Sequence, residues 1–159
     1  MIDELQMTDD KGKMIMVAND KKLNILLVDD DDVDVMTVRR AFQKNNITNH
    51  LYIAANGLEA LSVLREQDNS LRIPWLRRLI LLDLNMPKMG GIEFLRELRA
   101  DPQLRYIPVI VLTTSSAEKD KVDAYNLNVA GYIVKPVTFS KFVEVMATLN
   151  KYWTLSEMP

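Results

Sequence analysis

The sequence has no cysteine, one histidine and no long apolar segment, and each absence excludes a class of function. Without cysteine, the chain cannot form disulfides, thiolate metal sites or a cysteine nucleophile. A single histidine, His50, cannot build a histidine-rich metal centre and leaves little scope for a catalytic triad; we expect it in the loop before the second strand. No apolar run approaches the ~20 residues that cross a bilayer. Residues 1–10 are acidic and lack the apolar core of a signal peptide.

The charges are almost balanced, with 20 Lys and Arg against 22 Asp and Glu, which gives a net charge of −2. This balance does not favour a nucleic-acid partner. The 159 residues fit one domain, and the fractions of hydrophobic (48%) and charged (26%) residues are those of an ordinary globular protein. We therefore expect a single cytoplasmic domain that binds neither nucleic acid nor membrane.

Five short apolar runs alternate with five segments of helical character. The predicted strands are residues 23–28, 51–54, 79–82, 109–112 and 132–134, and the helices begin near residues 33, 57, 90, 117 and 138. The strands are continuous apolar runs, which is typical of a parallel sheet covered by helices on both faces. Right-handed crossovers favour an α/β, flavodoxin-like doubly wound (βα)5 three-layer sandwich with strand order 2-1-3-4-5.

The chain divides into three parts on this reading. Residues 22–152 form the main domain, residues 1–21 an N-terminal extension that we expect to be mobile, and residues 153–159 a C-terminal tail. The alternative for the extension is a short helix that packs on the domain.

Polar side chains follow four of the five predicted strands. Asp29 and Asp30, Asp83, Thr113 and Lys135 come directly after the first, third, fourth and fifth strands. The carboxyl ends of neighbouring parallel strands line one crevice, so these groups should converge. Carboxylates ~4 Å apart repel by a few kcal/mol per pair at an effective dielectric near 20, which requires a cation. Lys135 is one candidate, and a divalent ion with hard oxygen ligands, Mg²⁺ or Mn²⁺, is the other.

These groups together favour one kind of chemistry. A carboxylate beside a metal ion, a hydroxyl and an ammonium group suits attack on a phosphorus centre, which gives an acyl phosphate. The metal and Lys135 would neutralise the phosphoryl oxygens, and Thr113 would donate a hydrogen bond to one of them.

Four motifs, in order and at matching strand ends, carry a family resemblance. They are LLVDDD at 26–31, LLDLNMPKMGG at 81–91, VLTTS at 111–115 and VKP at 134–136. Over roughly residues 22–151 the chain resembles two-component response-regulator receiver domains, stand-alone and similar to chemotaxis receivers.

The resemblance implies a role for each residue at the strand ends. Asp83 would be the phosphoacceptor, and Asp29, Asp30 and Asp83 would hold Mg²⁺ together with the backbone carbonyl of Asn85. Asp31 could replace Asp29 in this set, because the register is uncertain by one residue. Asp31 or Asp32 would otherwise cap the following helix.

The resemblance also implies a conformational switch. Thr113 would be the switch hydroxyl, Tyr132 the rotameric aromatic residue, and Lys135 the phosphate-contacting lysine, followed by a cis peptide to Pro136. Thr114 would take the small-residue position that controls access to the phosphoryl group.

The expected function is that of a stand-alone response regulator, because the chain ends soon after the last helix. A histidine kinase would phosphorylate Asp83, and the signal would pass through protein–protein contacts; the only reactions catalysed would be its own phosphorylation and dephosphorylation. The alternatives are a phosphate sink or shuttle in a phosphorelay and a Mg²⁺-dependent phosphohydrolase. Asn85 stands where such hydrolases usually need a second aspartate. The connection at 71–78 resembles that of regulators that serve phytochrome-type kinases.

The last helix carries more apolar residues than one buried stripe requires. Its apolar positions span an arc of about 180°, against the ≳100° of a helix that lies on a sheet. The surplus at Val145, Tyr152 and Trp153 predicts a homodimer through the fourth helix, fifth strand and fifth helix. The alternative is that the N-terminal extension or the tail, residues 154–159, covers this surface.

Overall fold

The structure, a computed structural model, describes residues 3–8, 11, 14–19, 22–66 and 72–159. The remainder of the predicted N-terminal extension and residue 71 of the predicted connection lie outside the described residues. No helix in the described ranges is both long and apolar enough to span a bilayer.

The N-terminal segment forms a two-stranded antiparallel sheet. Strand β1 (Asp3–Thr8) pairs with β2 (Met14–Asn19), so that Asp3 lies opposite Asn19 and Thr8 opposite Met14. Ile15 and Val17 are β-branched residues, which favour extended backbone over helix. The short helix considered for this segment is therefore wrong.

The main sheet has five parallel strands. They are β3 (Asn24–Val28), β4 (His50–Ala54), β5 (Arg78–Leu82), β6 (Val109–Thr113) and β7 (Gly131–Val134). Their spatial order is β4-β3-β5-β6-β7, which is the predicted order 2-1-3-4-5 counted within this sheet. The prediction of a flavodoxin-like fold is confirmed. His50 begins β4 because its backbone joins the ladder opposite Asn24, so its placement in the preceding loop is wrong.

Four helices of the described chain connect successive strands of the main sheet, and a fifth follows the last strand. They are α1 (Asp32–Lys44), α2 (Gly57–Leu64), α3 (Gly91–Ala100), α4 (Glu118–Asn126) and α5 (Phe139–Leu155). Polar side chains cap three of them by accepting backbone N–H bonds: Asp31 at α1, Asn56 at α2 and Thr138 at α5. The sequence predicts the boundary between the main domain and the C-terminal tail after Tyr152. Since α5 continues through Leu155, this boundary falls inside a helix.

The core consists of two apolar layers, one on each face of the main sheet. Successive residues of a strand point to opposite faces, so Leu26 of β3 joins one layer and Leu27 the other. The first layer includes buried residues of α2, α3 and α4, and the second those of α1 and α5. The sheet is thus covered on both sides, and the carboxyl ends of its strands are the edge at which polar side chains can gather.

Candidate functional site

The register of the sheet brings Asp29 and Asp83 to the same level. Val28 and Leu82 are partners in the β3–β5 ladder, so the residue after each strand leaves the sheet at adjacent points. The Asp83 amide donates to the carbonyl of Val28 at 3.0 Å, which fixes the backbone of Asp83 against β3. Both aspartates are buried.

Three carboxylates meet at this point. Asp29, Asp30 and Asp83 each offer an oxygen, and these oxygens lie within 4.8 Å of one another. Two of the three side chains are buried and Asp30 is exposed, so the cluster opens to solvent on one side. Hard carboxylate oxygens with access to water suit Mg²⁺ or Mn²⁺, which usually keep several waters. The donor set therefore fits a divalent ion.

Asp31 does not belong to this cluster. Its side chain caps α1, accepting from the amides of Val33 at 2.8 Å and Asp34 at 3.4 Å. An N-cap carboxylate satisfies amides that have no partner within the helix. The structure thus places the acidic pair at Asp29 and Asp30 and gives Asp31 the capping position.

Lys135 reaches the acidic cluster from β7. Its Nζ lies 2.9 Å from Asp29 Oδ2, 2.9 Å from Asp34 Oδ2 and 3.8 Å from Asp83 Oδ2. The Lys135 amide donates to the carbonyl of Thr113 at 2.7 Å, so pairing with β6 fixes where the lysine leaves the sheet. One ammonium group therefore offsets part of the charge of three carboxylates.

The site shifts the pKa values of its buried ions in a way that follows from their contacts. Burial raises the pKa of Asp29 from 3.8 to about 6, although the Asp31 amide and the Lys135 ammonium group oppose this. Burial lowers the pKa of Lys135, but its hydrogen bonds to Asp34 and Asp29 outweigh burial, and the net pKa is raised. Lys135 is thus firmly cationic, and Asp29 is ionised at a cost that a second cation would relieve.

Thr113 orients the Asp83 carboxylate. Its hydroxyl is fully buried and donates to Asp83 Oδ1 at 2.8 Å. The amide of Asn85 lies 3.4 Å from the same oxygen. Because both donors act on Oδ1, the carboxylate is held with Oδ2 facing Lys135. A carboxylate, a hydroxyl, an ammonium group and an acidic cluster thus occupy one crevice.

Residues 25–147 match the family model described as the response regulator receiver domain. The chain belongs to this family. The match spans the main sheet apart from its first residue, Asn24, and all of the site described above, which confirms the resemblance carried by the four motifs.

Three relatives illustrate the match. Response regulator Rcp1 of Synechocystis sp. is 37% identical over 132 residues, which cover 81% of this chain and 87% of Rcp1. A probable methanogenesis regulatory protein, FilR2 of Methanothrix harundinacea, is 36% identical over 129 residues, 81% of this chain and 82% of FilR2. The phosphorylated cyanobacterial phytochrome response regulator RcpA is similar in structure, with a TM-score of 0.77 and 33% identity over 87% of this chain and 99% of RcpA. Rcp1 has also been solved in a Mn²⁺-bound form, with a TM-score of 0.74 and coverage of 85% of this chain and 97% of that structure.

Tyr132 of the receiver is tied to the loop that follows β6. Its hydroxyl donates to the backbone carbonyl of Ser115 at 2.8 Å, and the Ser115 hydroxyl donates in turn to Asp120 of α4. The ring is half-buried against the core layer that contains α4, and burial raises the pKa of Tyr132. The predicted switch tyrosine therefore connects β7 to the start of α4.

Two further predictions concern the chain beside Thr113 and Lys135. Thr114 is exposed next to Thr113, and its expected control of access to a phosphoryl group stays a prediction. The described residues contain no cis peptide bond, so the bond before Pro136 is trans and the expected cis bond is wrong. The trans form is intrinsically favoured by ≈ 0.5–1 kcal/mol even before proline.

Asp34 is the residue at the receiver site that the sequence analysis missed. It lies in the first turn of α1, and its carboxylate accepts from Lys135 at the same 2.9 Å distance as Asp29. The sequence does place Asp34 in the helix that begins beside the acidic pair, but residues 29–32 are four further aspartates. The sequence alone does not distinguish an aspartate that faces Lys135 from one that faces water.

The three residues expected at an interface differ in how exposed they are. Tyr152 is 48% exposed, Val145 is half-buried against the α1–α5 core layer, and Trp153 is only 2% exposed. The Trp153 ring packs against Phe42 of α1 at a centroid distance of 6.2 Å. The interface prediction for Trp153 is wrong because α5 buries one side against α1 as well as against the sheet, which widens its buried arc.

The tail accounts for more of the apolar surplus. Met158 packs against the α1–α5 core layer, and the amide of Arg77 donates to the carbonyl of Pro159 at 2.8 Å. The tail thus returns beneath α5 to the start of β5, as the alternative explanation required for part of this surface.

Proposed function

We propose that this receiver is a stand-alone response regulator that accepts a phosphoryl group on Asp83 from a histidine kinase, in a reaction that depends on Mg²⁺. It would pass the signal on through protein–protein contacts that phosphorylation controls. The observation that carries the proposal is the setting of Asp83, with the Thr113 hydroxyl at 2.8 Å, the Lys135 ammonium group at 3.8 Å and two further carboxylates beside it.

The phosphorylation step has a simple balance of bonds. An oxygen of Asp83 forms a bond to phosphorus, the bond from phosphorus to the donor breaks, and its electron pair leaves with the donor group. Lys135 would pair with a phosphoryl oxygen, and Thr113 would donate to another. A divalent ion held by Asp29, Asp30, Asp83 and the carbonyl of Asn85 would supply further neutralising charge, and the Mn²⁺-bound form of Rcp1 supports such a site.

Phosphorylation would be converted into a change of surface through Thr113 and Tyr132. A phosphoryl group adds roughly −1.5 to −2 charge and strong acceptor oxygens. Thr113 would turn from the Asp83 carboxylate to the phosphoryl group, and Tyr132 would exchange its bond to Ser115 for an inward position. The loop before α4 and the face of α4, β7 and α5 would then favour a second arrangement.

The same face is the proposed site of homodimerisation. It exposes Val122 and Tyr125 of α4, Val134 of β7 and Tyr152 of α5. Scattered apolar residues are normal, but four exposed ones on these three elements support the proposed contact surface. Because the relatives include a phytochrome response regulator, a phytochrome-type histidine kinase is the first candidate for the upstream partner.

Labelling with acetyl phosphate tests the phosphoacceptor. The purified protein with Mg²⁺ should gain one phosphoryl group by intact mass, and removal of Mg²⁺ with EDTA should prevent it. Asp83→Asn should not be labelled, because the amide cannot form the acyl phosphate. Asp101→Asn, beyond the end of α3, is the matched control and should label like the wild type. An unlabelled wild type, or full labelling of Asp83→Asn, would refute the proposal.

A further inference from the structure

Lys135 divides its hydrogen bonds between a residue of the acidic cluster and one outside it. Its Nζ contacts Asp29 Oδ2 and Asp34 Oδ2 at 2.9 Å each, while Asp83 Oδ2 lies beyond hydrogen-bond distance at 3.8 Å. An ammonium group has three protons, so two of them are engaged away from the phosphoacceptor. A phosphoryl group on Asp83 would have to compete for this cation.

The two partners of Lys135 differ in what they lose when the lysine moves. The side chain of Asp29 is 1% exposed, so loss of the ammonium group would leave a buried and uncompensated charge. The side chain of Asp34 is 35% exposed, so water can replace the lysine there. Asp34 is therefore the partner that Lys135 can give up more readily.

Asp34 also borders space into which the lysine can move. It lines a cavity of about 440 Å³ between α1 and the β7–α5 connection, together with Lys135 and Thr114. The Lys135 side chain is 10% exposed and that of Asp34 35%, so the ion pair lies at the wall of this cavity with open space beside it.

We propose that Asp34 is a positioning residue that holds Lys135 in the unphosphorylated state and competes with the phosphoryl group for it. This inference rests on the proposed function and deepens it. Asp34 thereby slows phosphorylation of Asp83 and weakens the binding of a phosphoryl analogue. The strength of the Asp34–Lys135 pair sets how easily the receiver is activated.

The test compares Asp34→Asn with two variants of the same turn. Asp32→Asn removes an identical charge from an exposed position of α1, and Asp34→Glu keeps the charge near Lys135. The measurements are the affinity for beryllofluoride with Mg²⁺ by titration calorimetry and the rate of labelling by acetyl phosphate. We expect Asp34→Asn to increase both by about three- to tenfold, the range that fits an ion pair whose acid is 35% exposed. Asp32→Asn should change them less than twofold, and Asp34→Glu should restore wild-type values.

A Lys135→Ala background separates an action through the lysine from a general effect of charge. With no ammonium group to release, Asp34→Asn should have no greater effect than Asp32→Asn. An equal effect of Asp34→Asn and Asp32→Asn in the wild-type background, or an effect of Asp34→Asn that persists without Lys135, would overturn this inference alone. If the wild type itself neither labels nor binds beryllofluoride, the proposed function fails instead.

Discussion

Asp29 carries a carboxylate in a buried environment that disfavours its charged form. Its side chain is buried, and it lies beside Asp83 and Asp30 as well as Lys135. Burial raises its pKa from 3.8 to about 6, so the folded protein holds this proton more tightly than the unfolded chain. The contribution of Asp29 to stability is therefore fully present below pH ~4 and is lost as the pH rises through 6. At neutral pH the protein carries the cost of an ionised, buried carboxylate.

Asp29→Asn should therefore stabilise the metal-free protein at pH 7.5. We expect a gain of about 2–3 kcal/mol in the free energy of unfolding, since one pKa unit corresponds to ≈ 1.4 kcal/mol and the rise from 3.8 to about 6 already includes the opposing contact with Lys135. The gain should vanish at pH 4, where Asp29 is protonated. Urea unfolding in EDTA at several pH values measures this.

The exposed acid of the cluster is the control for this experiment. Asp30→Asn also removes a carboxylate from the cluster, but this side chain is exposed, so the variant relieves no desolvated charge and should not gain the stability expected for Asp29→Asn. Both variants should lose most of the stabilisation that Mg²⁺ gives the wild type, since binding to the native state stabilises it. A variant Asp29→Asn that is less stable than the wild type at pH 7.5 would contradict the assignment of a desolvated charge.

At the residue scale, the sequence predicted the side chains that follow strands and missed those that depend on packing. Asp83, Thr113 and Lys135 could be found because a strand end fixes where a side chain emerges. Asp34 and Trp153 could not, because their environments depend on how α1 and α5 lie against their neighbours. Helix periodicity predicts on which side of a helix a residue lies, but it does not predict which neighbouring element packs against that side.

Among the elements, the turn from β5 into α3 is the one that tolerates least change. Gly91 begins α3, and a Cβ atom there would lie 2.7 Å from the Asp83 carbonyl oxygen and 2.7 Å from Leu84 Cα. Both are backbone atoms of the turn, so they cannot yield as a flexible side chain would. The absence of a side chain at residue 91 thus allows the helix to begin directly against the backbone of Asp83.

Gly91→Ala should therefore damage both stability and the site. We expect a loss of about 1–3 kcal/mol from overpacking. The labelling rate by acetyl phosphate should also fall, because the backbone of Asp83 must shift. Chemical unfolding and the labelling assay measure the two effects.

Gly131→Ala is the matched control, because its Cβ would meet no atom closer than 4.0 Å, at Ile110 Cγ2. It should label normally and unfold within about 0.5 kcal/mol of the wild type. Equal behaviour of the two alanine variants would show that the turn has room that the structure does not indicate.

The main sheet and its helices were predictable because local signals agreed with one another. Continuous apolar runs identified the strands, and capping residues such as Asn56 and Thr138 stood at the helix starts. The antiparallel pair β1–β2 was missed because its sequence has no sustained period. Pairing between strands is a non-local property, and residues 3–8 alone do not reveal it.

For the whole molecule, the remaining prediction is that the α4–β7–α5 face contacts a second copy of the chain. Burial of Trp153 and the return of the tail remove part of the apolar surplus that first indicated a dimer. Tyr152 of α5, which the proposed dimer surface includes, stays exposed. Aromatic residues at the centre of an interface commonly supply much of its binding energy.

Tyr152→Ala should therefore weaken a homodimer without affecting the fold. Sizing with light scattering at micromolar concentration should detect the wild-type dimer, and the variant should dissociate at about tenfold higher concentration or more. Tyr106→Ala is the control, since Tyr106 is 43% exposed, close to the 48% of Tyr152, but lies in the connection between α3 and β6, outside α4, β7 and α5. Neither change should alter the free energy of unfolding of the monomer by more than about 0.5 kcal/mol. A wild type that stays monomeric with and without phosphorylation would exclude the dimer, and the exposed face would then be available to a different downstream protein.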